Sequence, residues 1–211
     1  MNDQYYTADP TSESKPTPCA FPYRGYGLNF MTDAGVFSKG ELDVGSRLLL
    51  DALPALTGNV LDIGCGWGAI GVAIAKANKN ASVTMVDVNR RALGLCQENC
   101  VRNGVTAEVI ESDGMAEVLG CQPGSGRKFD AIVTNPPIRA GKQVIYKMFA
   151  DAAVSLNEGG ALYLVIRKQQ GAESCVKYLK TLFNEVEKLD KSAGFWVLKA
   201  SEPKEGITDE V

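Results

Sequence analysis

The chain has 211 residues and a formal charge of −3, from 22 Lys and Arg against 25 Asp and Glu, and it contains no histidine. That length predicts one domain, and 45 % hydrophobic with 22 % charged residues excludes a disordered or fibrous chain. The missing histidines exclude Ser/His/Asp and Cys/His triads, imidazole general bases and histidine metal sites together.

The opening segment, MNDQYYTADPTSESKPTP, has neither the basic start nor the apolar run of a secretory signal. With Pro10, Pro16 and Pro18 it reads as a flexible polar arm over residues 1–20, ahead of a domain over 21–200. No stretch approaches the ~20 apolar residues of a bilayer span, so the expectation is a soluble, cytoplasmic protein with no membrane and no metal. Cys19, Cys65, Cys96, Cys100, Cys121 and Cys175 form no CxxC pair and read as reduced, structural thiols.

Ser38 and Glu41 fit a capping box, predicting a helix through LDVGSRLLLDAL to Leu53, before Pro54. Strands and helices then alternate. NVLDIG, SVTMVD, TAEVIE, FDAIVT and ALYLVI are short apolar strands. AIGVAIAKA, NRRALGLCQENCVRN (with Gly104 as its C-cap), KQVIYKMFADAAVSL and AESCVKYLKTLF carry helical spacing. EVEKLDKS and FWVLKA pair as a terminal hairpin, followed by an acidic, flexible tail over 201–211 with four acids against one lysine. The pattern predicts a doubly wound α/β fold, a Rossmann-like, mostly parallel seven-stranded sheet with an antiparallel last strand.

In such a sheet ligands bind beyond the carboxyl ends of the strands. The first of these strands ends in Asp62-Ile63-Gly64-Cys65-Gly66-Trp67-Gly68, whose glycines allow a sharp turn and close backbone approach to a ligand. Asp87 ends the next strand, where a carboxylate accepts from ribose hydroxyls, and the pair fits an adenosine-containing ligand. Gly66-Trp67-Gly68-Ala69-Ile70-Gly71 also matches the GxGxxG of nicotinamide enzymes. Asp62, expected to face the ligand, disfavours a pyrophosphate and attracts the ammonium of a methionine moiety, which points to S-adenosylmethionine. Asp113, after the third strand, is placed to accept from the adenine amino group.

FDAIVT ends in Asn135-Pro136-Pro137-Ile138. Two prolines fix φ and remove two donors, leaving a stiff corner rich in acceptors, and Asn135 adds a side-chain carbonyl. Paired acceptors suit an NH₂ group, held in line for direct displacement at a sulfonium methyl without a general base.

DIGCGWG, VDVN and NPPI at these separations resemble class I S-adenosylmethionine-dependent methyltransferases acting on exocyclic amines. Thr32-Asp33-Ala34-Gly35-Val36-Phe37-Ser38 and LDVGSRLLL narrow the resemblance to the catalytic domain of the ribosomal RNA small subunit methyltransferase C family, guanine-N2 methyltransferases, over about residues 25–200. The resemblance implies that Phe37, Ser38, Asp62, Gly64, Cys65, Gly66, Gly68, Asp87, Val88, Asp113, Gly114 and Asn135 hold S-adenosylmethionine and its product S-adenosylhomocysteine. Asn135, Pro136, Pro137 and Ile138 would form the catalytic loop, and Arg139, Lys142 and Arg167 would bind substrate. The family often has an aromatic at the fourth NPP position. Ile138 stands there instead, leaving base stacking to Arg139 or to an aromatic elsewhere. The implied partner is ribosomal RNA or the small ribosomal subunit, met by a monomer or weak homodimer. DNA adenine, a protein glutamine amide, a nicotinamide oxidoreductase and a non-catalytic cofactor-binding module stay open.

Overall fold

The computed structural model describes residues 8–119 and 126–206. The chain first forms a hairpin, β1 (Thr17–Tyr23) and β2 (Tyr26–Thr32), and then alternates. The elements are α1 (Val44–Ala52), β3 (Gly58–Ile63), α2 (Ala69–Ala77), β4 (Ala81–Asp87), α3 (Arg90–Asn103), β5 (Glu108–Glu111) and α4 (Ala116–Leu119). They continue with β6 (Phe129–Thr134), α5 (Lys142–Ser155), β7 (Leu156–Arg167), α6 (Ala172–Leu182), β8 (Phe183–Ser192) and β9 (Phe195–Pro203). The last seven strands make one sheet in the order β5-β4-β3-β6-β7-β9-β8. Its pairs are parallel from β5 to β7, and β9 runs antiparallel between β7 and β8. This is the predicted fold.

Near-continuous apolar strands bury both faces of the sheet. On one side Val60, Val83, Met85 and Val133 meet α1, α2 and the hairpin; on the other Leu61, Ile132, Leu162 and Leu164 meet α5 and α6. Gly71 lets α2 approach the sheet. A Cβ there would stand 2.3 Å from Met85 Sδ and 2.5 Å from its Cγ, and Met85 is wholly buried. Gly71→Ala is therefore expected to destabilise by about 1–3 kcal/mol through overpacking, read as a lower urea midpoint.

Three expectations are corrected. The segment expected as a free arm is tied down from residue 8 onward. Arg91 donates to Ala34 O and Ser12 O, each at 2.8 Å, Ser14 Oγ donates to Asp33 at 2.7 Å, and β1 already begins at Thr17; residues 1–7 lie outside the described residues. The leading helix starts five residues later than expected. Its N-cap is Asp43, whose carboxylate accepts from Ser46 N, while Ser38 sits at φ +53 and donates its hydroxyl to Glu41 O. The acidic tail starts later too, because β9 reaches Pro203 and Lys204 N donates to Leu182 O at 2.9 Å; residues 207–211 lie outside the described residues.

The β1–β2 hairpin matters because it delivers the segment that follows it. Arg24 and Gly25, both at positive φ, make its tight turn, and Phe21, Tyr23, Leu28 and Phe30 line its buried face. Phe30 stacks on Phe21 and meets the Trp67 ring edge-on, with centroids 4.9 and 5.0 Å apart. Asn99 and Asn103, one turn apart on α3, bond β2 as a strand would. Asn99 accepts from Met31 N and donates to Met31 O; Asn103 does the same with Asn29. Residues 33–43 thereby run over the carboxyl edge of the sheet.

Candidate active site

Register builds the site. Ile63 pairs with Val86 on one side and with Thr134 on the other, so the loops after β4, β3 and β6 emerge side by side, about 4.8 Å apart per strand. Thr134 Oγ1 donates to Ile63 O at 2.8 Å and ties the last two together. β4 and β5 lie on one side of β3 while β6 and β7 lie on the other, so the crevice opens where the winding of the sheet reverses. There the chain encloses a cavity of about 540 Å³, within the range of roughly 300–1,000 Å³ typical of small-ligand sites.

Phe37, Ser38, Gly64, Cys65, Gly66, Asp87, Val88, Asp113, Gly114, Asn135, Pro136 and Pro137 all line this cavity. Gly64, Gly66 and Gly114 have positive φ, and a Cβ built on any of them would meet no atom within 4 Å, so the missing side chains leave space open toward the cavity. Gly68 serves packing instead. At φ +89, a Cβ there would lie 2.9 Å from Cys96 Sγ.

Asp87 accepts from Gly66 N through one oxygen and from Asn89 N through the other, both at 2.8 Å. Each oxygen retains a lone pair for a hydroxyl donor. Burial pushes its carboxyl above the usual range. Contact with Cys96 lowers the Cys65 thiol, but burial and the charges of Asp87 and Asp62 outweigh it and push it up to about 11. Cys65 is thus a neutral wall group and not a nucleophile.

Asn135 is held from behind. Its Nδ2 donates to Asp43 Oδ2 at 3.0 Å and to Ser46 Oγ at 2.9 Å. Asp43 and Ser46, both on the cavity wall, were missed as site residues. The signal was an Asp three residues before a Ser ahead of an apolar helix, which competes with the Ser38–Glu41 pattern.

Besides Gly68, two predicted site residues, Asp62 and Ile138, do not line the cavity. Asp62 does not face the cavity. It is fully buried behind the glycine loop, where Oδ2 accepts from Gly71 N at 2.8 Å, because alternation along β3 turns it toward the first turn of α2. Its Oδ1 has no hydrogen-bond partner among the described residues, and burial with the charge of Asp87 raises its carboxyl to about 7. Ile138 does not line the cavity either. The chain turns into a 3-10 turn at Ile138–Ala140, and the Ile138 side chain packs against the core under α5 and α6. Phe37 and Val144, exposed at the rim, supply the apolar surface instead.

Arg139, Lys142 and Arg167 are exposed around the same carboxyl edge, and Arg167 lies 4.8 Å over the Phe195 ring. Lys147, on α5, is paired with Asp151 at 2.8 Å.

An adenosine ligand with a cationic amino-acid end fits these groups: open glycine cradles, a two-oxygen acceptor at Asp87, and a buried carboxylate oxygen without a partner behind the loop. Residues 27–199 match the family model described as methyltransferase small domain. An uncharacterised Bacillus subtilis protein, YbxB, is 41 % identical over 95 % of this chain and 98 % of its own length. The Vibrio cholerae ribosomal RNA small subunit methyltransferase C is 37 % identical over 75 % of this chain and 44 % of its own. Among solved structures, the T. thermophilus 16S rRNA N2 methyltransferase in complex with AdoMet and guanosine aligns with a TM-score of 0.76 at 29 % identity, covering 90 % of this chain and 51 % of that one. The chain therefore spans about half the length of the named methyltransferases it matches.

Proposed function

The chain belongs to the methyltransferase small domain family and is an S-adenosylmethionine-dependent methyltransferase, and on that premise we propose that it methylates an exocyclic amine, guanine N2 of small-subunit ribosomal RNA. The observation that carries the amine is the orientation of Asn135. With both Nδ2 hydrogens given to Asp43 and Ser46, its Oδ1 is the end left to accept. The relatives named for small-subunit RNA methylation support the nucleic acid, as do Arg139, Lys142 and Arg167, exposed at the carboxyl edge of the sheet outside the cavity lining. On this reading the protein would meet its substrate in the cytoplasm.

Bound in this cavity, S-adenosylmethionine supplies an electrophilic methyl group on a cationic sulfur. Gly64 and Gly66 leave room for its methionine end, Asp87 takes the ribose hydroxyls, and Asp113 and Gly114 flank the adenine. Asn135 Oδ1 and the Pro136 carbonyl accept the two hydrogens of the target NH₂. They direct the nitrogen lone pair at the methyl carbon and stabilise the positive charge that develops on nitrogen. The surplus proton leaves the methylated nitrogen to water, so no histidine is required. The apolar rim of Phe37 and Val144 suits the flat face of a base turned out of its stack.

The test is transfer of labelled methyl from S-adenosylmethionine into small subunits, free ribosomal RNA, DNA and protein from cells lacking this protein. The expected result is label recovered as N2-methylguanosine from small-subunit RNA. Label confined to DNA or to protein would overturn the RNA assignment.

A further inference from the structure

We propose that Asp43 and Ser46 are positioning residues that decide which end of the Asn135 amide meets the acceptor nitrogen; the proposal rests on the reading of Asn135 as the group that receives the target NH₂. The two ends of an asparagine amide have nearly the same shape and opposite hydrogen-bonding sense, so only their neighbours select the orientation. A carboxylate has no hydrogen to donate. The contact with Asp43 Oδ2 at 3.0 Å therefore admits Nδ2 alone, and Ser46 Oγ at 2.9 Å takes the second hydrogen. With the amide reversed, an NH₂ would face another NH₂ in the cavity and the acceptor would be lost.

The clamp is itself held. Asp43 caps α1, its Oδ2 also accepting from Ser46 N at 3.0 Å, and α1 is anchored by Leu49 and Leu50, which are wholly buried. Gly45 keeps the space clear, since a Cβ there would stand 2.9 Å from Asp43 Oδ2 and 3.0 Å from the Phe195 ring. The contact crosses 92 residues of chain and ties the segment delivered by the hairpin to the Asn135 amide. Asp43 touches the amide and not the reacting nitrogen.

Asp43→Ser isolates the contact: serine is as good an N-cap, but its side chain is too short to reach Asn135 Nδ2. Asp43→Asn keeps an oxygen that can serve both Ser46 N and Asn135. Asp43→Ser is expected to slow single-turnover methyl transfer about 10- to 30-fold, the scale of one charge-assisted hydrogen bond, with S-adenosylmethionine affinity and acceptor KM within about twofold of the parent. Asp43→Asn should recover the rate to within about threefold, since the geometry is kept and only the charge is lost. In an Asn135→Ala background, Asp43→Ser should cost nothing further, because the two act as one unit. A fully active Asp43→Ser protein, or an undiminished second loss in that background, would overturn the clamp.

If the parent methylates none of the acceptors offered, the functional reading fails, but the clamp is still decided by the side-chain amide spectrum. The Asn135 NH₂ pair, assigned by its loss in Asn135→Ala, should be protected from solvent exchange in the parent and unprotected in Asp43→Ser. An unchanged pair would refute the proposal.

Discussion

Asn135→Ala is expected to lower methyl transfer at least ~100-fold, on the scale of removing one preorganised polar group aimed at developing charge, while S-adenosylmethionine affinity stays within about twofold. The asymmetry follows from the site. The cavity-lining groups after β3, β4 and β5 are the ones we assign to the cofactor, whereas the Asn135 amide is fastened to Asp43 and Ser46 at the start of the leading helix. Truncation removes the acceptor and leaves the glycine loop in place. Rapid-quench single-turnover rates beside calorimetric binding separate the two effects. Loss of both in proportion would mean that Asn135 holds the cofactor and that the acceptor reading is wrong.

The second large effect is a pH dependence of the ligand-free protein. Asp62 is buried, its Oδ1 has no hydrogen-bond partner among the described residues, and its carboxyl is raised to about 7 by burial and by the charge of Asp87. Between the unfolded value near 4 and this folded value, the native state holds a proton that the unfolded chain has lost. The stability contributed by the neutral carboxyl is therefore fully present below pH ~4 and is lost as pH rises toward 7. It amounts to roughly 4 kcal/mol at about 1.4 kcal/mol per pH unit, and Asp87, raised in the same direction by burial, adds to it. Urea unfolding of the parent against Asp62→Asn, which keeps an oxygen for Gly71 N, should show the difference change with pH across this window and flatten above it. A constant difference would show that Asp62 is ionised in the folded protein throughout.

Ligand binding should then oppose that loss. The ammonium of S-adenosylhomocysteine, drawn toward the carboxylate behind the loop, favours its ionised form. Affinity is expected to be roughly fivefold to tenfold higher at pH 7.5 than at pH 6 in the parent, with most of that dependence absent in Asp62→Asn.

The glycine loop, Asp87 and the NPPI corner were legible because each combines a residue type with a place at the end of an apolar strand. Adjacent parallel strands then had to bring their carboxyl ends together. The β1–β2 hairpin was not legible. Its period-two pattern over Cys19, Phe21 and Tyr23 was masked by Pro18 and Pro22, and what holds it to α3 is a pair of asparagine side chains imitating a strand edge. The capping box failed for a local reason: two acid-and-serine patterns five residues apart competed, and burial of Leu49 and Leu50 favoured the helix that starts from Asp43.

Sequence by itself determined the winding of the sheet, the glycine turns at its carboxyl edge and the stiff diproline corner, since these depend on backbone restrictions and strand order, which are written residue by residue. Only the tertiary structure decided that Asp62 lies behind the loop, that Ile138 packs against the core, and that Asp43 reaches across the fold to the Asn135 amide. Those outcomes depend on the direction of a side chain and on a contact between segments far apart in the chain, and neither is fixed until the helices have packed on the sheet.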